Sequence, residues 1–297
     1  MSAVEKRVDV IVVSYNSSAR LRGCIELLAY EPCIGAVVVD NASQDDSIAS
    51  VADLPIRLLP LENNVGFGSG CNVGWRATHA PYVLFLNPDA RMSPADVLQL
   101  ADVAQRTGAG AVAPRIVDST GELEYSLRRF PEVRSIYGQA FFAHRLFPTA
   151  EWTDEVVRDS DAYAAQGQCE WASGACLLVR REVLERLDGF DEGFFMYSED
   201  VDICRRIWNG RDRVIYTPEA TCSHAGGGSA PRWRLTPVLA RSRVRYARKH
   251  FGRVRAGLYR CGVALNALTH IFVGRGLQGR FGHAQAFAAA LRPGTQP

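Results

Sequence analysis

Short aliphatic runs alternate with helical patterns over the first hundred residues, and this alternation most constrains how the chain can fold. The predicted strands are residues 8–13, 36–39, 56–61 and 82–86. Continuous apolar strands separated by helices are typical of a mostly parallel sheet with helices on both faces. The sequence therefore predicts an α/β fold. A length of 297 residues allows one large domain or a domain plus an appendage, and a hydrophobic share of 47% is enough for a sizeable core.

The second half of the chain has a less regular pattern. The small, apolar segment 169–179 predicts a buried strand, and 214–217 predicts a final strand that Pro218 ends. Ser198 is placed to cap a helix that runs through Trp208.

Polar residues directly follow three of the predicted strands, at Ser14-Tyr15-Asn16, at Asp40 and at Asn87-Pro88-Asp89. In open α/β sheets ligands bind outside the carboxyl ends of the strands, so we expect these residues to meet at one edge. Asp40 could bind a ribose or a nucleobase, or cap a turn or helix. Asp89 suits Mg²⁺ or Mn²⁺ on a substrate diphosphate, or is a simple turn residue.

A glycine-rich segment, Gly66-Phe-Gly-Ser-Gly70, precedes a predicted helix. It does not match the dinucleotide-binding fingerprint, because Cys71 takes the place of the last glycine and the segment does not follow the first strand. We expect either a close backbone approach to a ligand or a tight turn here.

Three acidic residues, Glu199, Asp200 and Asp202, follow an aromatic run at 194–197. Acids in the first turn of a helix stabilise it through the helix dipole. A carboxylate beside an aromatic wall is also a typical general base. His224 follows the last predicted strand, and is either structural or, with Asp89, a metal ligand.

The order of these motifs resembles glycosyltransferase family 2 from about residue 8 to residue 225. The residues that carry the resemblance are Val-Ser-Tyr-Asn (13–16), Val-Asp-Asn-Ala-Ser (39–43), Asn-Val-Gly-Phe-Gly (64–68), Leu-Asn-Pro-Asp (86–89), Ala-Ser-Gly-Ala-Cys-Leu-Leu-Val-Arg-Arg (172–181), Gly-Phe-Asp-Glu (189–192), Tyr-Ser-Glu-Asp-Val-Asp (197–202) and His224. Within the family, the chain looks most like the rhamnosyltransferases of cell-wall and polysaccharide assembly.

The resemblance implies a GT-A fold and inverting transfer from a nucleotide-diphospho-sugar. Among the reactions that the resemblance implies, the best match is the transfer of L-rhamnose from dTDP-rhamnose to a hydroxyl of a saccharide acceptor carried on polyprenyl diphosphate. The implied donor-nucleotide residues are Ser14, Tyr15, Asn16, Asp40, Asn64, Gly66 and Asn87.

The same resemblance assigns the metal and the acceptor side. Asp89 and His224 would hold Mg²⁺ or Mn²⁺, although Asn87 replaces the first acid of the family's usual D-x-D motif. Asp200 would be the general base. The implied acceptor- and sugar-binding residues are Trp171, Tyr197 and Glu199.

The net charge of +2 hides an uneven distribution. Residues 220–297 contain 13 basic residues and no Asp or Glu, whereas residues 1–219 contain 21 basic and 32 acidic residues. We therefore predict a catalytic domain over 1–228 and a basic, amphipathic helical extension over 229–297. The extension could pack on the catalytic domain, lie on an anionic membrane surface, or bind nucleic acid, for which no base-reading module is visible.

Eight scattered cysteines without a C-x-x-C pair, no signal peptide and no membrane-spanning run predict a cytoplasmic protein, peripheral at the inner face of the cell membrane. We expect no nucleic-acid partner, and a homo-oligomer stays open. Two other functions remain as alternatives. A nucleotide-sugar nucleotidyltransferase typically has a glycine-rich basic loop after the first strand, which residues 14–18 lack. The other is a non-catalytic membrane- or nucleic-acid-binding protein.

Overall fold

The computed structural model describes residues 5–147, 150–226, 231–273 and 276–292. The predicted domain boundary at 228 lies outside these ranges, so the division into two domains stays a prediction. The strands are β1 (Val8–Ser14), β2 (Ile34–Asp40), β3 (Arg57–Pro60), β4 (Tyr82–Leu86), β5 (Ala90–Arg91), β6 (Ala111–Val117), β7 (Leu127–Arg128), β8 (Gly167–Gln168), β9 (Trp171–Ala172), β10 (Cys176–Arg180) and β11 (Val214–His224).

The helices surround the sheet and form the carboxyl-terminal part of the chain. They are α1 (Ser18–Ala29), α2 (Phe67–Arg76), α3 (Pro94–Thr107), α4 (Val133–Ala140), α5 (Ala143–Leu146), α6 (Asp161–Ala164), α7 (Arg181–Leu187), α8 (Glu199–Asn209), α9 (Arg232–His250), α10 (Arg253–Val273) and α11 (Gly276–Leu291).

The central sheet has the strand order β3-β2-β1-β4-β10-β6-β11-β5, and β8 pairs with β11. Strands β3, β2, β1, β4, β6 and β11 run in one direction, whereas β10, β5 and β8 run in the other. The sheet is therefore mixed and mostly parallel, as predicted.

Two apolar cores cover the two faces of this sheet. Val10 and Val12 of β1 pack in the core that α1 and α3 complete. Ile11 and Val13 pack in the opposite core, with α2, α7 and α8. Because side chains alternate along a strand, one continuous apolar run supplies both cores. This confirms the prediction of helices on both faces.

Two strand predictions are wrong in their bounds. Strand β11 continues past Pro218 to His224, because an irregularity between Thr217 and Thr221 absorbs the proline and the register resumes beyond it. The predicted strand at 169–179 is two short strands, β9 and β10. Between them, residues 173–175 leave the sheet, and the Gly174 N–H donates to the Asp200 carboxylate.

The described part of the tail forms three helices. Residues from α9, α10 and α11 make a small apolar core that Ile136 of α4 joins. Gly252 lies between α9 and α10, where the amphipathic pattern is weakest. Gly262, inside α10, is the point of closest approach to α4, since an added Cβ would lie 2.6 Å from Ile136.

The space around two helical glycines differs, and this predicts opposite effects for their substitution by alanine. A Cβ on Gly74 would lie 2.3 Å from Cγ2 of Ile11, so Gly74→Ala should destabilise the fold by about 1–3 kcal/mol. Gly257 in α10 has open space around it, and Gly257→Ala should stabilise by about 0.5–1 kcal/mol. Urea unfolding midpoints measure both effects. A stabilising Gly74→Ala would contradict the packing.

Candidate active site

The carboxyl ends of β2, β1 and β4 lie side by side at one edge of the sheet. Ser14, at the end of β1, is the register partner of Asp40, at the end of β2. Asn87 and Asp89 directly follow β4, the other neighbour of β1. Because parallel strands end at the same edge, three separate segments bring their polar side chains together, as the sequence predicts.

Two buried oxygens at this edge have no hydrogen-bond partner in the described part of the chain. They are Oγ of Ser14 and Oδ1 of Asp40. Asp40 is only 2% exposed, and its Oδ2 accepts the N–H of Ser43. Tyr15, next along the chain, is 37% exposed. Buried polar atoms almost always have a partner, so this arrangement fits a polar ligand such as a nucleoside.

Asn16 joins the loop after β1 to the loop after β2. Its backbone N–H donates to Oγ of Ser43 over 3.0 Å, and its Oδ1 accepts the N–H of Gln44 over 2.8 Å. Its φ of 50° is left-handed, a conformation that Asn tolerates better than most residues. Asn16 therefore fixes the relative position of both loops, and its direct contact with a nucleotide stays a prediction.

The glycine-rich segment approaches the protein's own backbone. Gly66 has φ of +88°, and an added Cβ would lie 2.2 Å from the Phe195 carbonyl oxygen. Asn64 Oδ1 accepts the Gly66 N–H and the side-chain amide of Asn41. Asn41 also accepts the Val65 N–H. Sequence analysis missed this role of Asn41, whose signal is its place directly after Asp40.

Asp89 and His224, the two predicted metal ligands, lie 3.3 Å apart between Oδ1 and Nε2. The extension of β11 explains this, because His224 pairs with Ala90 across the sheet. The other ring nitrogen of His224 lies 3.1 Å from Glu124 Oε2, and Arg20 lies 3.4 Å from Asp89 Oδ2. Sequence analysis did not single out Arg20 or Glu124.

The electrostatics of this pair follow from its contacts. Hydrogen bonds to Asp89 and to Glu124 raise the pKa of His224 to about 10 against the opposing effect of burial. Burial disfavours the charged form of Asp89, but the hydrogen bond and charge of His224 outweigh it and lower the pKa of that carboxyl. Without a cation, the two side chains therefore form an ion pair.

The donor atoms fit a cation that is shared with a substrate. No group of three or more His, Cys, Asp and Glu residues within the described ranges is arranged to hold a metal ion. Mg²⁺ is commonly held by one or two carboxylates, with substrate phosphates and water completing its shell, and carboxylates suit Mn²⁺ as well. Asp89 fits such a cation on a diphosphate, and His224 would have to give up its ring proton to join it.

The first turn of α8 carries three carboxyl groups in three different environments. Asp202 is fully buried and lies 2.8 Å from both Arg206 and Lys249 and 2.7 Å from His250. Burial disfavours its charge, but these contacts outweigh that effect and lower its pKa. Burial, and then the charge of Asp200, raise the pKa of Glu199 to about 8. Glu199 is therefore protonated at neutral pH.

Asp200, unlike its buried neighbours Glu199 and Asp202, is partly exposed. Burial raises its pKa, against hydrogen bonds from the N–H groups of Val201 and Gly174. The residue after Gly174 also contacts the metal side, because the Asn87 N–H donates to the Ala175 carbonyl over 2.9 Å. Residues 174–175 thus connect Asp200 to the loop that carries Asp89.

A cavity of about 110 Å³ opens beside Asp200. Trp171 and Tyr197, two predicted acceptor residues, line it with Asp200. Glu199 does not line it. Its side chain packs instead near Gly68 of α2 and Phe190, and its Oε2 has no partner among the described residues. An acceptor contact by Glu199 therefore stays a prediction that this cavity does not support.

The segment before α8 is strained. Tyr197 and Ser198 both have φ of 67°, a left-handed conformation that is costly for residues other than glycine. Helix α9 holds the segment in place, since Ser242 Oγ donates to the Met196 carbonyl over 2.7 Å. Such strain is typical of functional sites, where surrounding packing maintains it.

Basic residues of α9 contact the acidic segment around the site. Arg245 and Lys249 pair with Asp191 at 2.9 and 2.6 Å, and Lys249 and His250 also contact Asp202. Sequence analysis left packing of the tail on the catalytic domain as one alternative, but it did not single out these ion pairs. Their signal is the match between a basic tail and an acid-rich segment at 191–202.

Comparisons with known proteins agree with this geometry. Residues 9–188 match the family model described as glycosyl transferase family 2. The chain is 32% identical over 271 residues to the N-acetylglucosaminyl-diphospho-decaprenol L-rhamnosyltransferase of Mycobacterium tuberculosis, covering 84% of this chain and 87% of that protein. It is 29% identical to the rhamnosyltransferase WbbL of Escherichia coli, covering 83% and 97%.

Solved structures support the GT-A fold. The mannosyltransferase PcManGT of Pyrobaculum calidifontis, in complex with GDP-Man and Mn²⁺, matches with a TM-score of 0.59 at 17% identity, over 97% of this chain and 87% of that one. TarS 1–349 of Staphylococcus aureus, in complex with UDP-GlcNAc, matches with a TM-score of 0.53 at 15% identity, over 96% and 89%. The family match spans more than half of the chain, and with the relatives it shows that this protein is a member of glycosyl transferase family 2.

Proposed function

We propose that this glycosyltransferase moves L-rhamnose from dTDP-L-rhamnose, with inversion, to a hydroxyl of a saccharide carried on polyprenyl diphosphate. The observation that carries the proposal is Asp200, a partly exposed carboxyl with a raised pKa beside a cavity, connected through residues 174–175 to the loop of Asp89. The names of the mycobacterial and E. coli relatives support rhamnose as the sugar, and that of the mycobacterial relative supports a lipid-linked acceptor.

Asp200 acts as the general base. One of its carboxylate oxygens takes the proton of the acceptor hydroxyl while the hydroxyl oxygen of the acceptor forms a bond to the anomeric carbon of the donor sugar. The bond from the anomeric carbon to the diphosphate oxygen breaks with its electron pair going to the nucleoside diphosphate. Attack opposite the leaving group inverts the anomeric carbon, so the reaction needs no covalent enzyme intermediate. A positioned base contributes roughly 10²–10⁴-fold.

The edge of β1, β2 and β4 binds the donor. Ser14 and Asp40 offer partnerless buried oxygens to the nucleoside, and Asp89 with His224 would hold the divalent cation. When bound, that cation stabilises the charge that develops on the departing diphosphate. Arg20, next to Asp89, adds a positive charge on the same side.

The two neighbouring carboxyl groups, Asp202 and Glu199, have environments that leave the role of general base to Asp200. Arg206 and Lys249 keep the Asp202 carboxylate charged, and His250 also contacts it, so Asp202 anchors the helix. Burial and the charge of Asp200 favour the protonated form of Glu199, so Asp200 is the carboxylate of this adjacent pair that carries the charge and can take a proton. Environments that push neighbouring carboxyl groups apart are typical of acid–base sites.

The family match supports glycosyl transfer over the nucleotidyltransferase and the non-catalytic alternatives. The donor nucleotide is part of the proposal, since the solved neighbours were bound to GDP-Man and UDP-GlcNAc.

Asp200→Asn should lower rhamnosyl transfer to a polyprenyl-diphosphate N-acetylglucosamine acceptor by roughly 10²–10⁴-fold, because the amide cannot take the proton. Donor binding and the melting temperature should stay unchanged. Glu182→Gln, in the first turn of α7, is the matched control. Near-normal turnover of Asp200→Asn would reject the base assignment. Efficient transfer from a UDP- or GDP-sugar, and none from dTDP-L-rhamnose, would reject the donor.

Removal of the cation should weaken donor binding. With Mn²⁺ present, dTDP-L-rhamnose should raise the melting temperature, and EDTA should abolish most of that shift. With Mn²⁺ present, Asp89→Asn should show only the small donor-induced shift in melting temperature that EDTA leaves in the wild type, because one ligand to the cation is lost. Asp161→Asn, an exposed carboxylate in α6, should behave like the wild type. A donor-induced shift that is indifferent to EDTA would argue against the metal site.

The described helices include none that is long and apolar enough to cross a bilayer. Large apolar side chains nevertheless lie exposed where α10 passes into α11 and on the neighbouring α5 segment. This apolar patch comprises Phe141, Leu146, Phe147, Phe272, Val273 and Leu277. The ring of Phe142 lies 4.7 Å from that of His270, which places α5 beside the end of α10. We infer that the patch rests on the inner face of an anionic membrane, since the surrounding tail has no acidic residue.

Phe272→Ser combined with Leu277→Ser should reduce co-sedimentation with phosphatidylglycerol vesicles by about tenfold, because two large side chains no longer enter the lipid. Leu27→Ser combined with Tyr30→Ser removes equally exposed side chains of the α1 region and should leave binding unchanged. If both double variants bind as the wild type does, the patch is not the membrane contact.

A further inference from the structure

The cavity beside Asp200 is built partly by the tail. Its walls come from the segment before α8, from residues that precede the sheet strand β10, and from α9 and α10. Besides Asp200, Trp171 and Tyr197, the polar residues that line it are Glu155, Ser198, Arg243, Tyr246 and Tyr259. Arg243 and Tyr246 lie on α9 and Tyr259 lies on α10. The tail therefore forms a wall of the candidate active site.

Three polar atoms around this cavity are buried and lack a hydrogen-bond partner within the described ranges. They are Oε1 of Glu155 and the hydroxyl oxygens of Tyr246 and Tyr259. Tyr246 and Tyr259 are 1% and 0% exposed. A buried polar group that lacks a hydrogen-bond partner is unfavourable. Three such atoms around one cavity indicate that something which enters the cavity completes their hydrogen bonds.

The chemistry of the walls selects a neutral, hydroxyl-rich ligand. Tyrosine hydroxyls both donate and accept hydrogen bonds, which matches sugar hydroxyls. Arg243 is the basic residue of the lining and Glu155 and Asp200 are acidic, so the cavity offers no excess of positive charge to a diphosphate. Trp171 and Tyr197 supply aromatic surface. One water needs roughly 10–15 Å³, so a space of about 110 Å³ has room for a group much larger than one water.

We propose that this cavity binds the terminal sugar of the acceptor, with Tyr246 and Tyr259 of the tail hydrogen-bonded to its hydroxyls. The proposal rests on the proposed function and deepens it, because it assigns the acceptor subsite to tail residues. The reacting hydroxyl then faces Asp200, which lines the same cavity. The lipid diphosphate stays outside, toward the surface. The tail thus selects the acceptor's terminal residue.

Two conservative variants test this directly. Tyr246→Phe and Tyr259→Phe remove only hydroxyls that have no partner in the described structure, so neither should lower the melting temperature. Each should raise KM for the acceptor by about tenfold, with kcat changed by less than about threefold and donor hydrolysis in the absence of acceptor unchanged. The matched control is Tyr216→Phe, whose buried hydroxyl donates to the Tyr163 carbonyl. It should lower the melting temperature without raising the acceptor KM.

A binding measurement keeps this test separate from the test of the proposed function. Saturation-transfer NMR with methyl α-N-acetylglucosaminide should detect binding to the full-length wild type and little binding to either tyrosine variant. If the wild type binds dTDP-L-rhamnose but the acceptor KM and sugar binding are unchanged in both variants, the subsite is overturned. If no nucleotide-sugar binds or turns over, the proposed function fails, while loss of sugar binding in the variants would still support the subsite.

Discussion

The buried ion-pair cluster around Asp202 is the interaction on which the candidate site depends. It joins the first turn of α8 to α9, through Lys249 and His250, and to its own helix through Arg206. A charge at a fully buried position is stable only when it is paired. Satisfying Asp202 therefore fixes the tail helix against α8, and this positions Asp200, two residues earlier, at the cavity that both elements line.

Glycine makes the second close junction. Gly66 lets the aromatic segment at 194–197 lie against the loop before α2, and Gly174 lets residues 173–175 approach Asp200. The same segment, through Ala175, contacts Asn87 beside the pair of Asp89 and His224. The proposed donor edge, the pair of Asp89 and His224, and Asp200 are thus connected by backbone contacts that side chains larger than hydrogen would block. This explains why the site residues can be far apart in sequence and still hold a fixed arrangement.

The basic tail has a different meaning in the structure than in the sequence. Its charge predicts an anionic partner. Some of the basic side chains instead interact with acidic residues of the same chain: Arg243 interacts with Glu155, and Arg245 and Lys249 pair with Asp191. Packing on the catalytic part and contact with lipid are compatible, because they use different faces. The inward face carries Tyr246 and the ion pairs, whereas the apolar patch lies at the end of α10, around Phe272.

The sequence by itself determined the mostly parallel sheet, its two covered faces and the edge where Ser14, Asp40 and Asp89 meet, because the apolar runs and their alternation with helices can be read locally along the chain. It did not determine that β11 passes Pro218 to bring His224 to Asp89, nor that Glu199 turns away from the cavity. It also could not place Tyr246 and Tyr259 beside Asp200. Those facts depend on register and on helix packing between segments far apart in the chain, which only the tertiary structure decides.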